Sequence, residues 1–157
     1  MPKNLPRAYY SHKFNSAGVC YEVALCIQTG EIVWFAGPYP AGKWPDISIF
    51  RHGLMHMLDL DEKVEADDGY RGEPNYVKCP CLFINMFENT ELQQRVRSRH
   101  ETINRRLKQW QILYQRFRHD EKDHGHVMGA IMVISQLTIF SRKPLFQVYY
   151  PGSEYNN

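Results

Sequence analysis

Residues 19–51 read VCYEVALCIQTGEIVWFAGPYPAGKWPDISIFR, and their pattern decides the fold class. Val19 to Gln28 alternates and is partly β-branched or aromatic, which predicts a strand. Thr29-Gly30 is a tight-turn signal, so Glu31 to Ala36 is expected to return as the second arm of a hairpin. Gly37 to Pro45 carries Gly37, Pro38, Pro40, Gly42 and Pro45, which predicts a loop. Asp46 is placed to cap a helix with Ile47, Phe50, Leu54 and Met57 at helical spacing. A short strand is expected at Lys63 to Ala66, ended by Asp67-Asp68-Gly69. A hairpin that feeds a helix and then another strand is the pattern of a mixed α/β sheet.

Outward from this stretch the signals are plainer. Residues 1–18 are turn-rich and polar. Tyr70 to Met86 reads as irregular. A long helix is expected from about Glu88 to Phe117. Its stripe is Leu92, Val96, Ile103, Leu107, Trp110, Tyr114 and Phe117, which keeps one face apolar. Residues 119–125 read as a charged loop. A last helix is predicted from His126 to about Phe140, apolar nearly all round and therefore expected to be buried. Leu145 to Val148 is a short apolar docking segment, and PGSEYNN at 151–157 is expected to be a loose tail.

The chain has 157 residues, 43% of them hydrophobic and 13% aromatic, enough for one core and one domain. That aromatic content with a net charge of +2 excludes disorder over most of the length. The longest apolar stretch, Val127 to Phe140, is interrupted by Gly129, Ser135, Gln136 and Thr138 and is too short to span a bilayer. The opening MPKNLPRAYY holds no apolar core segment, so no export signal is expected there. The four cysteines are accordingly expected to be free thiols.

Charge is segregated. Asp59 to Glu73 carries seven acids against Lys63 and Arg71, while Glu91 to Arg118 carries eight bases against Glu91 and Glu101. An acidic cluster and a basic helix suit divalent metal near a phosphate backbone, and they equally suit two solvated surfaces. Asp67 sits where a strand ends and a glycine turn begins, a place for a functional carboxylate or for a plain turn former. Glu101 lies opposite the apolar stripe, with Gln94, Arg97, Arg105 and Lys108 on its side. It is either a metal-binding carboxylate among phosphate-holding bases or the partner of Arg97 and Arg105 at i,i+4 spacing. Cys79-Pro80-Cys81 with His124-Gly125-His126 is a poor zinc signal, because one residue between ligands is tighter than usual. No phosphate-cradling glycine loop or nucleophile elbow is present.

Several segments read together resemble one family. They are YSHKFNSAGVCYEVALCIQTGEIVW (10–34), GPYPAGKWPDISIFR (37–51), VEADDGYRG (64–72), RSRHETINRRLKQWQIL (97–113), QRFRHD (115–120) with a following His124, and KPLFQV (143–148). This order is similar to the endonuclease domain of Harbinger-type DDE transposases, the DDE Tnp4 superfamily, over about residues 9–150. The most specific parts are A-D-x-G-Y-x-G, the R-x-x-x-E-x-x-N-x-x-L-K helix and the final P-L-F.

The resemblance implies a ribonuclease H-like α/β fold, a mixed sheet flanked by helices. It implies a divalent-metal-dependent nuclease or transposase that uses Mg²⁺ or Mn²⁺ for in-line attack on a phosphodiester. Carried over residue by residue, it makes Asp67 the second catalytic and metal-binding aspartate and Glu101 the catalytic glutamate. Asp68 stands where the family usually has another residue. Asp46 matches as a helix-capping position outside the metal set. Lys43, Arg97, Arg105 and Lys108 would neutralise DNA phosphates. The family's first catalytic aspartate precedes the Tyr10-Ser11-His12-Lys13 segment, and no acid stands before Glu22. The chain is thus expected to be truncated at its N-terminus, to lack the first, central strand and to be weak or inactive by itself. The alternatives are a catalytically dead, transposase-derived DNA-binding module and a non-functional gene fragment. The resemblance further implies a nuclear location, DNA as partner, a separate Myb-like or helix-turn-helix DNA-binding protein and homo-oligomers, with no membrane.

Overall fold

The structure is a computed structural model, described here over residues 7–13, 15–79, 90–141 and 143–148. It is a mixed α/β arrangement of short two-stranded sheets and three main helices. A hairpin pairs β3 (Val19–Leu25) with β4 (Ile32–Pro40). Upstream, β1 (Tyr10–Ser11) and β2 (Ser16–Ala17) pair antiparallel. Downstream, β5 (Val64–Glu65) and β6 (Val77–Lys78) pair in parallel, Val64 opposite Val77. The helices are α1 (Asp46–His52), α2 (Thr90–Lys108), the single turn α3 (Gln111–Tyr114) and α4 (Glu121–Ser141). Among the described residues no sheet has more than two strands, so a ribonuclease H-like strand order is not seen.

The contacts divide into two compact units. The first holds the described residues up to Val23 and those from Trp34 to Cys79; the second holds Ala24–Val33 and the described residues from 90 onward. In the first, Ile49, Phe50, Leu54, Val77 and Cys79 are buried. In the second, Ile103 and Leu107 of α2, five residues of α4, and Leu145 and Val148 are buried. The expected docking of the 145–148 segment is therefore seen. At the hairpin turn Gly30 takes φ 77°, a conformation glycine adopts without steric cost, and its N–H donates to the Cys26 carbonyl at 2.8 Å.

Several elements differ from expectation, each for a local reason. The loop expected from Gly37 is instead strand as far as Pro40. Proline is tolerated where its missing N–H would have faced away from a partner. Gly37 is needed there because a Cβ would stand 2.6 Å from the Tyr21 ring and 2.8 Å from the Cys20 carbonyl oxygen. The parallel partner β6 lies in a stretch read as irregular, since two residues are too few to show a period. The long helix stops at Lys108 and resumes as α3, with neither glycine nor proline at the break.

The last helix starts at Glu121, not His126. Asp120 caps it: its carboxylate accepts the Lys122 N–H at 3.1 Å, and Glu121 and Asp123 complement the dipole in the first turn. That helix is also not buried all round. Met128, Ile131, Met132, Ser135 and Ile139 face inward, while Val133, Ile134, Leu137 and Phe140 are exposed. Among the described residues no helix is long and apolar enough to cross a membrane. The expected tail at 151–157 lies outside the described residues.

His124, in the first turns of α4, packs edge-on against the Phe117 ring at 4.8 Å. Burial holds its pKa below the ordinary value of 6.5. A depressed pKa contributes stability that is full above the unfolded value and lost as pH falls through the folded one. Melting temperature is therefore expected to drop as the pH is lowered below about 6.5, and His124→Gln should flatten that slope in a pH series of thermal melts.

Candidate functional site

Asp67 follows β5, whose pairing with β6 is extended by the Ala66 N–H donating to the Lys78 carbonyl at 3.1 Å. The chain then turns through a 3-10 segment, Asp68–Tyr70, and Asp67 is its cap. Oδ1 of Asp67 accepts the Gly69 N–H at 2.9 Å. The turn-forming role of this aspartate is real, and it occupies one carboxylate oxygen only. Asp68 is exposed and lies 3.9 Å from the Arg71 guanidinium, a surface pair of little energetic weight.

Asp46 is not the helix cap. Pro45 holds the cap position with extended geometry, and Asp46 is the first helical residue. Proline fixes the entry φ, so the capping side chain that the sequence pattern suggests is not used. The Asp46 carboxylate instead turns toward the Asp67 loop. A methyl group added at Gly69 would stand 2.9 Å from Asp67 Oδ1 and 3.0 Å from Asp46 Oδ2. The two oxygens thus lie within about 6 Å of one another, and a Cβ at Gly69 would make one or both carboxylates shift.

Behind them is a residue that sequence reasoning passed over. Glu22 on β3 is 3% exposed. Its Oε2 accepts the Trp34 indole N–H at 3.0 Å, and the Tyr70 hydroxyl stands close enough to hydrogen-bond the same carboxyl. Burial raises the Glu22 carboxyl above its usual range; Trp34 and Tyr70 pull it down, and Asp46 pushes it further up. Burial, then the Asp67 carboxylate, raise Asp46, against Lys13, which lowers it. The Tyr70 hydroxyl is held far above its usual range by burial and then by Glu22, Asp46 and Asp67. The phenol therefore sits within electrostatic reach of all three carboxylates. The available signal was the strand period: Cys20, Glu22 and Ala24 share one face, and a glutamate there is out of pattern.

Glu101 lies in the second unit, exposed on the polar face of α2. Among the described residues it makes no ion pair, so the i,i+4 pairing with Arg97 and Arg105 is not formed. Arg105 and Lys108 are exposed and Arg97 is half-buried on the same side. Lys43 is exposed in the first unit, in the turn between β4 and α1.

Three other arginines of the same helix have different work. Arg99 is 2% exposed; its guanidinium donates to the carbonyls of Phe146, at 2.8 and 2.5 Å, and of Ile27, at 2.5 Å. Arg95 donates to the Gln147 carbonyl and Arg106 to those of Lys143 and Pro144. These three tie the 143–148 segment to α2.

Among the described residues no three His, Cys, Asp or Glu side chains converge closely enough to ligate one ion together. Of the residues in the weak zinc pattern, Cys79 belongs to the first unit, His124 and His126 to the second, and Cys81 lies outside the described residues. No described cysteine forms a disulfide. No family model, curated protein or solved structure matches the chain.

Proposed function

We propose that the chain is a DNA-binding nuclease module of the DDE transposase type, weak or inactive by itself, with Asp67 and Glu101 as its metal-binding carboxylates and a ribonuclease H-like architecture as its plan. The observation that carries this reading is the polar face of α2. Among the described residues Glu101 makes no ion pair there beside Arg97, Arg105 and Lys108, although i,i+4 pairing was open to it. Side chains left this way are available to phosphate oxygens and to a cation. The oxygen donors of Asp67 and Glu101 suit a hard divalent ion. Such an ion would activate water and stabilise the leaving oxygen of a phosphodiester. The protein's own part is to place the carboxylates and to neutralise the DNA backbone with Lys43, Arg97, Arg105 and Lys108.

Binding to duplex DNA of arbitrary sequence is expected to weaken steeply with salt, because phosphate contacts release counterions. Replacing Arg105 by Ala should weaken binding on all sequences and reduce the slope of log K against log salt by about 1. Gel-shift or anisotropy titrations at several salt concentrations measure this directly. Plasmid nicking with Mg²⁺ or Mn²⁺ is expected to be weak and to vanish in Asp67→Ala. Robust nicking that survives Asp67→Ala would overturn the role given to that residue, and salt-insensitive binding would overturn the module itself.

A second reading draws on the same face. A module that grips DNA and has lost the chemistry would use the same exposed Arg105 and Lys108 on the polar face of α2. Salt-sensitive binding with no metal-dependent cleavage at any protein concentration selects it.

A further inference from the structure

We propose that Tyr114, Arg116 and Arg118 form a contact for an unpaired DNA strand, the ring stacking on a base and the two guanidinium groups holding flanking phosphates. The proposal rests on the nucleic-acid part of the reading above and not on its metal chemistry. The first observation is the ring itself. The apolar stripe of the long helix would place Tyr114 on the buried side, yet α2 stops at Lys108, and Tyr114, at the end of the single turn α3, is 84% exposed. A ring this open keeps its π-face available to a partner.

The second observation is charge, and it is independent of the first. From Thr102 to His119 the chain carries Arg105, Arg106, Lys108, Arg116 and Arg118 and no acid. Arg106 is engaged by the carbonyls of Lys143 and Pro144. Arg116 and Arg118 are exposed, and among the described residues neither makes an ion pair. The acids that follow, Asp120, Glu121 and Asp123, begin α4, where Asp120 is engaged as the cap.

The segment that carries these side chains is anchored. The Gln115 N–H donates to the Gln111 carbonyl at 2.7 Å and closes α3, while Asp120 accepts the Lys122 N–H at the other end. Between them Phe117 is half-buried, its ring edge-on to His119 at 5.5 Å and to His124 at 4.8 Å. With Phe117 turned inward, its two neighbours Arg116 and Arg118 are left on the outside.

This set of groups selects its partner. Guanidinium forks suit phosphate oxygens. A tyrosine face suits a nucleobase, and a single strand offers the open π-face of every base, whereas a duplex covers those faces with neighbouring pairs. An acidic peptide would satisfy the arginines and leave the ring without a flat partner, so it is the rival to be excluded.

Fluorescence anisotropy on the full chain tests this, with two labelled strands of equal length and charge: an oligothymidylate and its abasic counterpart. Wild-type protein should bind the oligothymidylate about five-fold or more tightly than the abasic strand. Tyr114→Ala should remove that difference and Tyr114→Phe, which keeps the ring, should retain it, with the salt dependence unchanged in both. Arg116→Gln and Arg118→Gln should each lower the slope of log K against log salt by about 0.7 on both strands and leave the preference for bases in place. Leu60→Ala, exposed and in the first unit, should match wild type throughout. Circular dichroism of each variant checks that it is folded, and Tyr114→Leu supplies a second deletion of the ring.

Equal affinity of the wild type for the two strands is what a plain polyanion site would give, and it overturns the proposal. A preference that survives in folded Tyr114→Ala and Tyr114→Leu overturns it as well. If either occurs while duplex DNA is still bound with a steep salt dependence, the loop contact falls and the DNA-binding reading stands. If the oligothymidylate is bound through Tyr114 and duplex DNA is not bound at any salt concentration, the loop contact stands and the duplex reading falls.

Discussion

Arg99→Met is expected to remove about 2–4 kcal/mol of stability, a large share of the roughly 5–15 kcal/mol that holds a domain folded. Methionine keeps the length and most of the apolar stem, so the change isolates the guanidinium. Three charge-assisted hydrogen bonds to the Ile27 and Phe146 carbonyls would be lost. Each carbonyl left buried without a donor costs about 1–3 kcal/mol. The opposing gain is relief from desolvating a cation at a site only 2% exposed, which is why the net stays below the sum of the bonds. Arg99→Lys should recover a minor part, because an ammonium cannot bridge two segments as a planar fork does. Arg105→Met, two turns of the same helix away and exposed, is expected to stay within about 0.5 kcal/mol of wild type. Urea denaturation of the three variants decides it, and an Arg99→Met midpoint equal to that of Arg105→Met would refute the role assigned to Arg99.

That contrast marks the limit of what charge counting reads. Arg95, Arg97, Arg99, Arg105, Arg106 and Lys108 enter the basic count of α2 alike. In the structure Arg95, Arg99 and Arg106 hold the 143–148 segment, while Arg105 and Lys108 are exposed. Helical phase separates Arg99 from Glu101, but it cannot show that carbonyls wait opposite, because those come from segments 47 and 72 residues away. The features that were legible are set locally: the Thr29-Gly30 turn, the β3 strand, the α2 stripe as far as Leu107, and the docking of Leu145 and Val148. Each follows from a period or a turn residue.

By position alone, Asp67 before a glycine turn suits a turn former and Glu101 opposite the apolar stripe suits a solvated face; their catalytic roles come from the family resemblance and stand as a proposal. Asp46 was noticed and given the wrong local task, because Asp at a helix start usually caps it and here Pro45 holds that position. Glu22 was not singled out. A single charged residue in a strand is ordinary in sequence and becomes unusual only when its burial is known. The apolar face Val133, Ile134, Leu137 and Phe140 shows the reverse error, since a helix hydrophobic all round predicts burial on every side, and these four are exposed.

Phe50→Ala carries the second large effect, about 3–5 kcal/mol. Phe50 is fully buried and is among the largest side chains in the first unit's core. Its ring meets the Tyr70 ring edge-on, with centroids 5.9 Å apart and planes at 77°. Truncation removes that pair, worth about 0.5–1.5 kcal/mol beyond its area, and opens a cavity under the turn that Asp67 caps. Phe50→Leu keeps most of the volume and is expected to cost less than about 1.5 kcal/mol. Equilibrium unfolding followed by tryptophan fluorescence measures both, with Trp34 and Trp44 reporting from the same unit. The two substitutions also separate packing from placement. Tyr70 lies beside Glu22, Asp46 and Asp67, so a ring that supports Tyr70 supports the spacing of those carboxylates. Phe50→Leu should therefore remain folded and leave the emission of Trp34, which is hydrogen-bonded to Glu22, closer to wild type than Phe50→Ala does. A Phe50→Ala midpoint within experimental error of wild type would show that the first unit's core does not rest on α1, and the carboxylate site would lose the scaffold on which its geometry depends.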